Sequence, residues 1–93
     1  MSESSRAHVF VQGRVQGVGY RAFARSAALR LGLTGGVRNL PDARVEVEAE
    51  GPKGRLEQFL EQLKSGPVGA RVSSINVTWD APTGSHAGFE IWY

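Results

Sequence analysis

Residues 7–31 read AHVFVQGRVQGVGYRAFARSAALRL, three different patterns in a row. Ala7 to Gln12 is rich in β-formers and predicts a strand. Gly13 to Gly19 is punctuated by glycine and predicts a loop. From Tyr20 the apolar residues fall at 20, 23, 24, 27, 28 and 31, which is a helical period. Gly32 then stands where a helix stop belongs.

The reading extends outward from this stretch. Gly36 to Leu40 predicts a short second strand. Leu40 to Ala43 predicts a turn, with Pro41 fixing the dihedral at its second position. Val45 to Glu50 alternates, with Val45, Val47 and Ala49 on one face and Glu46, Glu48 and Glu50 on the other. That pattern predicts a half-buried strand with one wet face. Pro52 suits the first turn of a second helix, whose apolar stripe is Leu56, Phe59, Leu60 and Leu63. Gly66-Pro67 stops it. Val72 to Trp79 is a fourth strand and Phe89 to Tyr93 a short fifth. Two helices with one apolar stripe each must cover one face of the sheet. The expected class is α+β: a ferredoxin-like two-layer sandwich, β-α-β-β-α-β plus a short terminal strand. Its sheet is mostly antiparallel, with both helices on one face. Such a fold hosts many functions, so it names none by itself.

Length and composition narrow the classes. A chain of 93 residues fits one domain, so residues 1–93 are expected to form one unit with residues 1–6 as a flexible lead. There is no cysteine, which excludes disulfides and thiolate metal sites and suits a reducing compartment. No apolar run has the length of a membrane span, and Met1 to Arg6 lacks a signal-peptide stretch. A cytoplasmic protein without a membrane partner is expected. The net charge of +2 is too small to argue for nucleic acid, and the aromatic-rich RNA-binding motif is absent.

Three features carry possible chemistry. Gly13, Gly17 and Gly19 let backbone N–H groups converge at the start of a helix. That helix end adds unpaired N–H groups and a partial positive charge of about half a unit. Together they make an anion site, with phosphate the commonest guest. Arg21 sits in the first turn, where a cation is disfavoured unless an anion binds nearby, and guanidinium grips phosphate oxygens in pairs. Asn39, disfavoured in a strand, can orient a water without removing its proton. Each also has a plain structural meaning: a flexible turn, a solvated arginine, a turn-initiating asparagine. His8 and His86 lack any metal or triad pattern, and the glutamates are expected to line a solvated face. Phe10, Phe23, Phe59, Trp79 and Phe89 are expected in the core.

The runs GRVQGVGYR (Gly13 to Arg21), GGVRNLPD (Gly35 to Asp42) and VEVEAEGP (Val45 to Pro52) resemble the acylphosphatase family. The separation of 18 positions between Arg21 and Asn39 matches too, and the resemblance runs on to the terminal FEIWY. It implies hydrolysis of acyl phosphates to a carboxylate and inorganic phosphate, without metal or organic cofactor. It implies phosphate or another anion as product or inhibitor, and a monomer. It assigns phosphate binding to Arg21 and to the backbone amides of Gln16, Gly17, Val18, Gly19 and Tyr20. It assigns Asn39 to the nucleophilic water. Two departures stand out: Ala43 where the family usually has glycine, and Trp92 where another residue is common. The rival class is a non-enzymatic ferredoxin-like binding module; a second possibility is an acylphosphatase-like domain that has lost catalysis or acts on a related carbamoyl phosphate. Both key residues are present, which speaks against loss.

Overall fold

Ala7, Val9 and Val11 point to one side of their strand and are fully buried, as are Val45, Val47 and Ala49 of another. The two strands run antiparallel with Val9 opposite Val47, so the six side chains form one apolar band down the middle of the sheet. The computed structural model, which describes residues 3–93, builds the rest around this band. Its elements are β1 (Ser4–Arg14), α1 (Tyr20–Arg30), β2 (Thr34–Asn39), β3 (Val45–Pro52), α2 (Lys53–Ser65), β4 (Arg71–Asp80) and β5 (Phe89–Ile91). The strand order is β4-β1-β3-β2-β5, antiparallel except for β2 and β5.

α2 lies over β3, β4 and β1, and α1 lies beside it over β2 and β5, with the buried residues of both in one core with the band. α1 contributes Tyr20, Ala24, Ala27 and Ala28, and α2 contributes Leu56, Phe59, Leu60 and Leu63. Phe59 meets Phe89 of β5 edge to face, with ring centroids 5.9 Å apart. This is the expected α+β sandwich, with both apolar stripes buried on one sheet face.

Several boundaries shift for identifiable reasons. β1 begins at Ser4, so residues 4–6 are not a flexible lead. They pair with Pro52, Gly51 and Glu50, and the Arg6 guanidinium donates to Glu48 at 2.8 Å and Asp80 at 3.1 Å. Residues 1 and 2 of that expected lead lie outside the described residues. β1 also runs past Gly13 to Arg14, through an irregularity against β4 between Gln12 and Gly13. A Cβ at Gly13 would stand 2.0 Å from the Arg71 carbonyl oxygen, so this glycine serves the strand crossing. The loop proper is residues 15–19.

The glutamate face is the larger correction. Glu46 and Glu50 are only 9% and 5% exposed. Glu46 lies 2.6 Å from His8 Nε2 and accepts the Arg38 Nε hydrogen at 2.6 Å. Glu50 accepts from Thr83 N–H, Thr83 Oγ1–H and Gly84 N–H, which pulls the segment after β4 across it. Alternation told which way these side chains point, not what covers them. Phe10 shares their face, because its parity is opposite to that of Val9 and Val11. It is half-buried beneath the Arg44 guanidinium at 4.7 Å. Trp79 sits on the edge strand and is 40% exposed, with the Lys53 ammonium 5.2 Å from its ring. Neither belongs to the core.

Trp92 has a role in the sheet. Its N–H donates to the Val37 carbonyl at 2.8 Å, and its ring lies against Gly36, where an added Cβ would come within 2.1 Å of it. Gly36 is small because the indole occupies the space of a side chain.

Candidate active site

The segment from Val15 to Gly19 leaves β1 and enters α1. Val15 is buried and anchors its start. Gly17 and Gly19 have φ of 74° and 77°, in the left-handed region. A Cβ there would meet nothing within 4 Å, so the dihedral angle, not crowding, requires glycine. Gly19 is the N-cap of α1 and offers no side-chain cap, and the first turn holds no acidic residue. Among the described residues, the backbone N–H groups of Gln16, Gly17, Val18, Gly19 and Tyr20 have no protein acceptor. Unpartnered donors at the positive end of a helix are what binding of an oxyanion requires.

Arg21 is half-buried and pairs with no carboxylate among the described residues. Its guanidinium carbon lies 5.9 Å from the centre of the Tyr93 ring. Asn39 is the last residue of β2, opposite Val45. Its Oδ1 is buried and has no hydrogen-bond donor among the described residues. A buried acceptor left so costs about 1–3 kcal/mol, a cost native proteins accept mainly where the group has a task.

These groups share one cavity of about 180 Å³, lined by Gly17, Gly19, Arg21 and Asn39. Val15, Tyr20, Ala22, Ile91 and Tyr93 complete its wall. That volume is below the roughly 300–1,000 Å³ of drug-sized pockets and suits a small anion with a water. Of the residues expected at the site, Gly17, Gly19, Tyr20, Arg21 and Asn39 line this cavity, and Gln16 and Val18 do not. Gln16 does something unforeseen in addition. Its side-chain Nε2 donates to the carbonyls of Leu40 at 2.9 Å and Arg44 at 3.0 Å.

Tyr20 is expected on the apolar stripe of α1 and at the site through its amide, and its side-chain hydroxyl fastens the site as well. Its hydroxyl donates to the Leu63 carbonyl at 2.6 Å, tying the start of α1 to α2. Burial pushes the phenol above its ordinary value, so it offers no acid or base near neutrality. Ile91 and Tyr93 carried no local signal, since they arrive only through the parallel pairing of β5 on β2. His8 pairs with Glu46 on the open face and His86 stacks near Trp92, so neither histidine lines the cavity. Among the described residues no three His, Asp or Glu side chains group to hold a cation. Arg21 and the uncapped start of α1 bring positive charge to this cavity.

The family model described as Acylphosphatase matches residues 7–91. The chain belongs to the acylphosphatase family. An acylphosphatase of Thermus thermophilus is 58% identical over 82 residues, covering 88% of this chain and 92% of the relative. One from Roseiflexus is 47% identical and covers 98% of each. The crystal structure of acylphosphatase from Bacillus subtilis superposes with a TM-score of 0.93 at 40% identity, covering 96% of this chain and 99% of that one. The activity of the chain is accordingly the hydrolysis of acyl phosphates, small-molecule substrates, to a carboxylate and inorganic phosphate. Among the described residues no helix is long and apolar enough to cross a membrane.

Proposed function

We propose that Arg21 and the amides of Gln16, Gly17, Val18, Gly19 and Tyr20 bind the phosphoryl group, and that Asn39 holds the attacking water. One observation carries this reading: Asn39, whose buried Oδ1 has no donor among the described residues, lines the same small cavity as Arg21 and the uncapped loop. The Asn39 carboxamide hydrogen-bonds the water and so turns an oxygen lone pair toward phosphorus. The water oxygen forms the new P–O bond while the bond to the acyl oxygen breaks. The carboxylate leaves with the electron pair, and the water proton passes to a phosphoryl oxygen.

A carboxylate is a good leaving group, so no strong acid or base is needed. Phosphoryl transfer runs through a loose transition state with charge on the equatorial oxygens. Fixed donors at those oxygens and a placed nucleophile supply most of the acceleration. Inorganic phosphate, as product, occupies the same donors and inhibits competitively. The reading includes a monomer in the cytoplasm, a reducing compartment that suits a chain without cysteine.

The test is hydrolysis of benzoyl phosphate in excess EDTA. The wild type keeps its rate, while Arg21→Ala loses about 10²–10³-fold in kcat/KM, the scale of removing one charge-stabilising donor. Arg21→Lys fails to restore it, since an ammonium lacks the two-pronged contact. Loss of wild-type activity in EDTA, or near-normal turnover in Arg21→Lys, would overturn the mechanism.

A further inference from the structure

The phosphate loop and the turn after Asn39 come from segments more than twenty residues apart, yet one side chain joins them. The Gln16 carboxamide has two N–H bonds, and both are used, on the Leu40 carbonyl at 2.9 Å and the Arg44 carbonyl at 3.0 Å. Each carbonyl already accepts a bond within its own turn: Ala43 N–H to Leu40 at 3.2 Å and Leu40 N–H to Arg44 at 2.8 Å. The carboxamide thus plugs the open side of a finished turn. Among the described residues no other hydrogen bond links residues 15–19 to residues 39–44.

Both partners need such a tie. The loop is rich in glycine, and its amides hold no protein acceptor. The turn carries Ala43 at φ 78°, a region that disfavours a residue with a Cβ. Asn39 is the final paired residue of β2 and the chain neighbour of Leu40, so the turn sets where its side chain stands.

We infer that the Gln16 side chain is a positioning residue: it fixes the separation between the phosphate-binding amides and Asn39, and so places the water in line with the leaving carboxylate. The inference rests on the proposed function. Binding of phosphate needs only the loop and Arg21, whereas attack needs loop and Asn39 in register. Loss of the tie therefore falls on turnover.

The experiment compares wild type with Gln16→Met, which keeps the length and loses both donors. Benzoyl phosphate gives kcat and KM, and inorganic phosphate gives the inhibition constant. The expected result is a kcat lower by about 10–100-fold, the scale of a small misplacement of reacting groups. Phosphate inhibition changes by less than about threefold, since binding is not what the tie controls. In an Asn39→Ala background the same substitution costs little more, because it acts through Asn39. Adding Ala43→Gly to Gln16→Met relaxes the turn and recovers stability without recovering kcat, which also serves if Gln16→Met folds poorly. Unchanged kcat, a loss fully additive with Asn39→Ala, a parallel loss of phosphate inhibition, or rescue of kcat by Ala43→Gly would each overturn it. Failure of the underlying mechanism reads out separately, as activity retained in Arg21→Ala.

Discussion

A cation in the first turn of a helix opposes the helix dipole, and a buried carbonyl oxygen without a donor opposes solvation. Arg21 and Asn39 each break a local rule, and they break it at the same cavity. Such coincident violations mark sites where stability has been traded for binding. The two roles separate experimentally. Asn39→Ala is expected to lower kcat by about 10²-fold, as for loss of a group that acts in the transition state. Inhibition by inorganic phosphate should persist, measured as the competitive constant against benzoyl phosphate. If phosphate binding weakens as much as kcat falls, Asn39 is a binding residue instead. Both residues were legible in the sequence, because a misplaced arginine and a strand asparagine are visible without coordinates. The Gln16 carboxamide was not, since its partners are two carbonyls, which every residue possesses.

The turn between β2 and β3 shows how an element tolerates a poor residue. Leu40 N–H bonds the Arg44 carbonyl at 2.8 Å, and Asp42 accepts the Arg44 N–H at 3.2 Å and Nε–H at 2.8 Å. These bonds hold Ala43 at φ 78°. The left-handed region costs alanine about 1–2 kcal/mol. Glycine would remove that strain but add roughly 0.5–1 kcal/mol of unfolded-state entropy. Ala43→Gly is therefore expected to be neutral or to stabilise by up to about 1 kcal/mol, read from urea midpoints at constant slope. Clear destabilisation would mean the turn is built differently. The position was readable as a departure from the family pattern; its dihedral angle was not. At the sheet edge, Trp92 on Gly36 makes the same point, since only pairing of β5 with β2 brings an indole to that glycine.

Across the whole molecule, one sheet face carries the helices and the other carries a layer of paired charges. Burial by itself pushes the Glu46 carboxyl up, but hydrogen bonds from His8 and Arg38, aided by their charge, outweigh it and hold the group below its ordinary value. Glu50 behaves alike: burial raises it, and bonds from Thr83 and Gly84 with the nearby His86 charge lower it further. A depressed carboxyl stabilises the fold above its unfolded pKa of about 4.3 and ceases to do so as pH falls through the folded value. The urea midpoint should stay level from about pH 7 to pH 5 and fall below about pH 4 as these groups take up protons. Glu46→Gln and Glu50→Gln should lower the neutral midpoint and flatten the acid slope. An unchanged slope would show that the pairs contribute nothing to acid stability.

By itself the sequence determined the succession of strands and helices, the apolar stripes, and the glycine loop with Arg21 and Asn39. All of these are written in spacing and residue type over a few neighbouring positions. Only the tertiary structure decided that Glu46 and Glu50 are covered, that Phe10 and Trp79 lie off the core, that Ile91 and Tyr93 close the cavity, and that Gln16 ties loop to turn. The reason is physical: each depends on the register between strands far apart in the chain, and on what lies over a face, and alternation along one strand encodes neither.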